Sequence, residues 1–247
     1  MDQISFQVSL YLIRHAQSEI NLNYSIICGQ SNSAPLTDLG FQQSILLGCV
    51  FEQILVLFYS TLSSCFLIGK RLKYENIQFD HLLSSSAIRT RQTAQTVLDQ
   101  LHIDSSRLIF TEAFLEQSQG DWEGSNRRDT YNEQVLREMS EKILDFTPPN
   151  GESMRMVQKR CIDYLQTFLD QAKQQSIEQK RIIRIAVFTH GNTIRGLLQY
   201  FLQTEPKYSW LPEIHNTSIT QITFNQHGIV LSKTNDDAHL ILTIPDS

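Results

Sequence analysis

The sequence predicts an α/β fold, a three-layer α/β/α sandwich with helices on both faces of a mostly parallel sheet. Two observations carry this. Short runs that are apolar on nearly every residue, such as 8–13 (VSLYLI) and 182–188, suit strands covered on both faces. Such runs alternate along the chain with segments of helical periodicity, the pattern of a parallel sheet with crossover helices. In order, the strand at 8–13 breaks into Arg14-His15-Ala16-Gln17-Ser18, and 35–40 (PLTDLG) reads as a turn and helix start. A strand at 79–84 leads to a helix at 87–101, with Ile88, Thr93, Ala94, Val97, Leu98 and Leu101 on one face. A third strand is predicted at 107–110. The clearest helix is 151–173, where Met154, Val157, Cys161, Ile162, Leu165, Phe168 and Leu169 fall at helical spacing. The strand at 182–188 stops at Thr189-His190-Gly191-Asn192-Thr193 and is followed by an amphipathic helix at 193–202. Strands at 218–224 and 228–232 finish the chain. No repeat or linker divides it, so residues 1–247 read as one domain.

The 247 residues include 10 Gly and 6 Pro with 41% hydrophobic residues, which argues against a low-complexity or disordered chain. With 21 basic and 26 acidic residues the net charge is −5, unsuited to general nucleic-acid binding. The four cysteines form no C-x-x-C pair or zinc-like spacing and read as reduced, which favours a cytoplasmic setting. The N-terminus lacks the basic region of a secretory signal.

One segment does not fit. Residues 49–69 (CVFEQILVLFYSTLSSCFLIG) carry a single charge, Glu52, and by length and hydropathy could span a membrane. With 49–69 removed, Phe41, Ile45, Gly48 and Leu72 form one apolar stripe at steps of 4, 3 and 3. The segment therefore reads as an insertion into a helix that is complete without it. A membrane or partner contact, a looped-out excursion, or a segment absent from the working protein would each account for it. The clean join of Gly48 to Lys70 favours the last.

Three strand ends deliver chemistry. Arg14-His15 follows the first strand, Arg89 lies early in the helix after the second, and His190 follows the buried strand at 182–188. In open α/β sheets, ligands bind at the carboxyl ends of strands. Two guanidiniums, two imidazoles and the backbone N–H groups of Gly191 and Asn192 at a helix start suit a phosphate dianion. Singly, each residue is more often structural; their conjunction carries the reading.

The blocks LIRHAQSEIN, PLTDLGFQQ, SSSAIRTRQTAQTV, FLEQSQGDWEG, PPNGESMRMVQKR, VFTHGNTIRGLL and HNTSITQI, with NDDAHL near the end, resemble the histidine phosphatase superfamily, in its phosphoglycerate-mutase-like branch. The resemblance implies that fold and a site built as follows. His15 matches the nucleophile that takes the phosphoryl group. Arg14, Asn21, Arg89 and His190 match the pocket for the phosphate oxygens, and Ser18 belongs to the opening motif. Glu116, in an E-x-x-x-G-x-x-E-G pattern, matches the acid that protonates the leaving oxygen and then activates water. Gly29 lies where family members meet substrate. The resemblance implies a small phosphorylated substrate, no metal and no cofactor, since the arginines neutralise the phosphoryl oxygens.

Two positions depart from the family pattern. Ala16 replaces a usual Gly, and Gln17 stands where Glu is common. Cofactor-dependent mutases carry an E-R-x-Y-G stretch and a long insertion after the acid. Here roughly two dozen residues separate Gly124 from Pro148, which favours a phosphomonoesterase over a mutase. Asp121 and Glu123 read as an exposed loop pair, and His81, His102, His215, His227 and His239 as structural or surface residues. A metal held by His15, His190 and Glu116 is disfavoured by the neighbouring arginines. A catalytically silent phospho-ligand binder and a membrane-anchored protein are the remaining alternatives.

Overall fold

The computed structural model describes residues 5–51 and 77–243. Six strands, β1 (Gln7–Arg14), β2 (His81–Ser85), β3 (Leu108–Thr111), β4 (Ile183–Thr189), β5 (Ile219–Asn225) and β6 (Gly228–Asp236), form one sheet in the order β3-β2-β4-β1-β5-β6. The pairs β3/β2, β2/β4 and β4/β1 are parallel, while β5 runs antiparallel to both its neighbours. Five strands thus share one direction, as the apolar runs predict.

Alternation along β1 sorts the core into two layers. Val8, Leu10 and Leu12 join the cluster built on α5 (Met154–Gln179) and α6 (Gly191–Leu202). Tyr11 and Ile13 point to the other cluster, with Leu47 of α1 (Asp38–Phe51) and Ala94, Val97 and Leu98 of α2 (Ile88–Gln100). Burial on both faces is why these strands lack a polar side.

The differences from the sequence reading have local causes. The long helix starts at Met154 because Ser153 caps it, its hydroxyl accepting the Met156 N–H. It continues to Gln179 because Ala172 and Ser176 extend its buried face. Two helices not expected from the sequence, α3 (Arg127–Thr130) and α4 (Glu133–Lys142), bury no residue and begin at Asn126 and Asn132 caps. The stripe proposed for α1 faces the wrong way: Phe41 and Ile45 are exposed, and Gly40, Ser44 and Leu47 form the buried side. The reason is Gly40, which lies against the Gln17 carbonyl where a Cβ would collide. Ser44 can be buried because its hydroxyl donates to the Gly40 carbonyl at 2.9 Å. The expectations for 52–69 and for Leu72 lie outside the described residues. Among the described residues no helix is long and apolar enough to cross a membrane.

Candidate active site

Strand register assembles the site. Arg14 pairs with Thr189 across β1 and β4, so the next residues, His15 and His190, stand side by side. Their ring centroids are 5.1 Å apart and inclined by 61°. Ser84 pairs with Phe188 across β2 and β4, which brings the Ser85 hydroxyl to 2.9 Å from His190 Nε2. Arg89 enters one residue into α2 and is buried. Its Nη1 donates to the carbonyls of Gln30 and Ser31, which fixes the guanidinium against the 28–31 loop.

The His15 ring has a defined tautomer. Nδ1 lies 2.7 Å from the Ala16 carbonyl, an obligate acceptor, so Nδ1 carries the proton and Nε2 keeps its lone pair. Burial, helped by the charges of Arg89 and Arg14, holds the His15 pKa well below the usual histidine range. The same causes, in the same direction, act on His190. Both rings are therefore neutral at physiological pH. Ala16 needs no positive φ, and its amide donates to Thr93 Oγ1, so the missing Gly has no steric consequence. The Gln17 side chain accepts the Thr37 hydroxyl proton near the start of α1.

Arg14 is anchored by Nη1 to the Ile214 carbonyl at 2.5 Å, while its buried Nε has no partner among the described residues. Burial lowers the pKa of both Arg14 and Arg89. Two desolvated guanidiniums, only partly balanced by the Glu116 carboxylate, favour an incoming anion.

Glu116 takes up two backbone amides at the start of α6. The strand-end pattern predicts free amides at Gly191 and Asn192 for a phosphate, but the Asn192 and Thr193 N–H groups both donate to the Glu116 carboxylate at 3.2 Å. A carboxylate suits the positive end of α6 as well as a phosphate would. Ser18 bonds within its own turn. It is fully buried, and its hydroxyl donates to Asn21 Oδ1, as does its amide. Ser18 therefore positions Asn21, whose amide NH2 remains the donor on offer.

Glu123 is no exposed loop acid. It accepts the amides of Gln30, Ser31 and Gln119 and so ties the 28–31 loop to the segment carrying Glu116. Gly29, at φ +49°, packs directly on this carboxylate, and a Cβ there would overlap it. Asp121 is exposed and pairs with Asn150.

Two positioning residues escaped the sequence reading. Arg160 donates to the carbonyls of Ala113, Leu115 and Glu116 and pairs with Glu152 at 2.9 Å. Glu152 in turn accepts the Ser118 amide. The signal was present in PPNGESMRMVQKR as an acid and a base eight residues apart, but only the loop at 113–118 gives them a task. Arg160→Ala would strand these carbonyls and leave Glu152 half-buried without its cation. Loss of about 3 kcal/mol is expected, a fall in Tm of roughly 6–12 °C for a chain of this size, read by calorimetry. Arg195 also lies at the site. Its Nη1 donates to Asn192 Oδ1 and, like Arg14 Nε, lies close to Gly191.

The buried histidines make stability depend on pH. In the unfolded chain each takes up a proton near pH ~6.5, whereas folded His15, His190 and His239 resist it. The unfolded state therefore binds more protons below that pH, and stability should fall as pH drops from 7 to 5. Thermal unfolding across that range checks this, and a His190→Gln variant should show a shallower slope.

This fold and site define a phosphoryl-transfer protein of the phosphoglycerate-mutase-like type. The sequence profile of the histidine phosphatase superfamily (branch 1) matches residues 67–237, and the chain belongs to that family. It is similar to the 2,3-bisphosphoglycerate-dependent phosphoglycerate mutase of Bartonella henselae, 27% identical over 92% of this chain and 97% of that protein. Among solved structures it resembles mycobacterial glucosyl-3-phosphoglycerate phosphatase (TM-score 0.71, 18% identity, 94% and 99% of the two chains). It also resembles the phosphoglycerate mutase of Bacillus anthracis (TM-score 0.68, 19% identity, 96% of each chain).

Proposed function

We propose that the protein is a phosphomonoesterase acting through a phosphohistidine on a small phosphorylated metabolite of the sugar phosphate, bisphosphate or phosphoglycerate class. The observation that carries this reading is the His15 tautomer, with an unprotonated Nε2 beside two buried guanidiniums. In the first step Nε2 attacks phosphorus and the ester P–O bond breaks. Glu116 gives a proton to the leaving oxygen. Its Oε1 already accepts two amides and its Oε2 one, so Oε2 is the oxygen with room for that proton. In the second step water attacks phosphorus, the P–N bond breaks, and Glu116 takes the water's proton. Arg14, Arg89, Asn21 and His190 stabilise the phosphoryl oxygens. Asn192, with its amide given to Glu116, faces substrate only through its side chain, and Gly29 and Gly191 act by leaving room.

The mutase relatives favour a second reading, transfer of the phosphoryl group to another phosphorylated acid rather than to water. The short stretch between Gly124 and Pro148, filled in part by α3 and α4, supports hydrolysis. The purified protein should release phosphate from an aryl phosphate and from members of a metabolite panel, with slower interconversion of phosphoglycerates. The reverse ranking would establish the mutase. Activity should survive chelation and be inhibited by vanadate, a mimic of five-coordinate phosphorus. Vanadate at about 100 times its Kd should also stabilise the fold by about 2.7 kcal/mol. Loss on chelation, with rescue by zinc or manganese, would overturn the metal-independent mechanism.

A further inference from the structure

The turn that holds the nucleophile's backbone is itself held by the C-terminal segment. Asn216 Nδ2 donates to the His15 carbonyl at 2.9 Å, and the Thr217 amide donates to the carbonyls of Arg14 and His15. The Arg14 amide donates back to Ser218. Thr217 sits at φ +58°, a left-handed conformation that a β-branched residue rarely adopts. Something must hold it there, and residues 235–239 make three contacts with the turn. Asn235 accepts the His215 amide, Asp237 lies 2.7 Å from His215 Nδ1, and His239 Nε2 lies 2.8 Å from Thr217 Oγ1.

The last contact has a fixed direction. The Thr217 hydroxyl gives its only proton to the Asn216 carbonyl at 2.7 Å, so it accepts from His239 Nε2–H. His239 is buried, and burial pushes its pKa down to about 4, so it is neutral at physiological pH. A single proton on Nε2 then completes a relay of hydrogen bonds from His239 through Thr217 and Asn216 to the His15 carbonyl.

We propose that His239 is a positioning residue for phosphoryl transfer, holding Thr217 in its left-handed turn and through it the backbone of Arg14 and His15. This rests on His15 as the nucleophile. Displacing that backbone by a fraction of an ångström misaligns Nε2 with the scissile bond, while Asn21, Arg89 and His190 keep their places and the Arg14 guanidinium stays tied to the Ile214 carbonyl. The effect therefore falls on the chemical step rather than on ground-state affinity.

The test compares His239→Leu, His239→Gln, Thr217→Val and a remote core control, Leu169→Ala, which packs against the α5 and α6 cluster. Each is studied at a temperature where all are folded. In single-turnover reaction with an aryl phosphate, His239→Leu and Thr217→Val should phosphorylate His15 about tenfold or more slowly, with KM changed less than about threefold. His239→Gln, which keeps an N–H donor, should stay within about threefold of the parent. The control should lose stability without this split. The NMR resonance of the His15 Nδ1–H should shift or broaden in His239→Leu and not in Leu169→Ala. Parental rates in both His239→Leu and Thr217→Val, an equal loss in the control, or an unmoved His15 resonance would overturn the proposal. If His239→Leu fails to fold, Thr217→Val carries the same expectations. A parent protein with no phosphatase activity would refute the proposed function instead, and the resonance would still report on the relay.

Discussion

His15→Ala should lose at least ~10³-fold in turnover of any phosphate ester, the loss expected for a missing nucleophile. The variant should also fail to form an acid-labile phosphoenzyme when quenched during turnover with radiolabelled substrate. The effect is expected to be this large because nothing nearby can replace Nε2. Among the described residues His190 is the only other ring adjoining it, and its Nε2 is already engaged with Ser85. The guanidiniums that remain should still bind inorganic phosphate, so the variant separates binding from chemistry. Turnover near the parental rate would end the proposal for His15.

Glu116→Gln should lower turnover of esters with poor leaving groups by ~10²–10⁴-fold, because Gln keeps the shape and cannot transfer a proton. Aryl esters with good leaving groups should lose much less in the pre-steady-state burst, since their departing oxygen needs no proton. Their steady-state rate should still fall, because water attack on the phosphohistidine needs the base. The carboxamide also pays for its NH2 group, which must face one of the amides now donating to the carboxylate. A stability loss of about 1–2 kcal/mol should accompany the kinetic one. Equal losses for good and poor leaving groups in the burst phase would assign the acid to another residue.

The parts of the site that were legible in the sequence are those written into strand ends. Arg14, His15 and His190 follow apolar runs directly, so periodicity alone places them on one edge of the sheet. Arg89 follows the same logic one helix turn later. What stayed hidden depends on which backbone donors a loop uses. Nothing in the sequence says that the amides at 192 and 193 already have an acceptor, because that acceptor, Glu116, is more than 70 residues away. Glu123 and Arg160 were misjudged or overlooked for the same reason. Their partners are carbonyls and amides of irregular segments, which have no periodicity to read. The face of α1 was misread because hydropathy ranks Phe41 and Ile45 above Gly40 and Ser44. The close approach of the Gln17 carbonyl selects the small residues instead.

That close approach has a consequence for where the chain tolerates change. It pins the first turn of α1 to the edge of the sheet that carries His15. The helix has 14 residues, and at 1.5 Å per residue its last turn lies on the order of 20 Å from its first. On the far side of the 52–76 stretch, β2 begins at His81, paired with Ile185 early in β4, again at the edge away from the histidines. Both anchor points of that stretch thus sit at the pole opposite the chemistry. Length or composition can drift there under little selective pressure from phosphoryl transfer, whereas a single residue added between Arg14 and Gln17 would pull the Gln17 carbonyl, and with it the His15 loop, out of register.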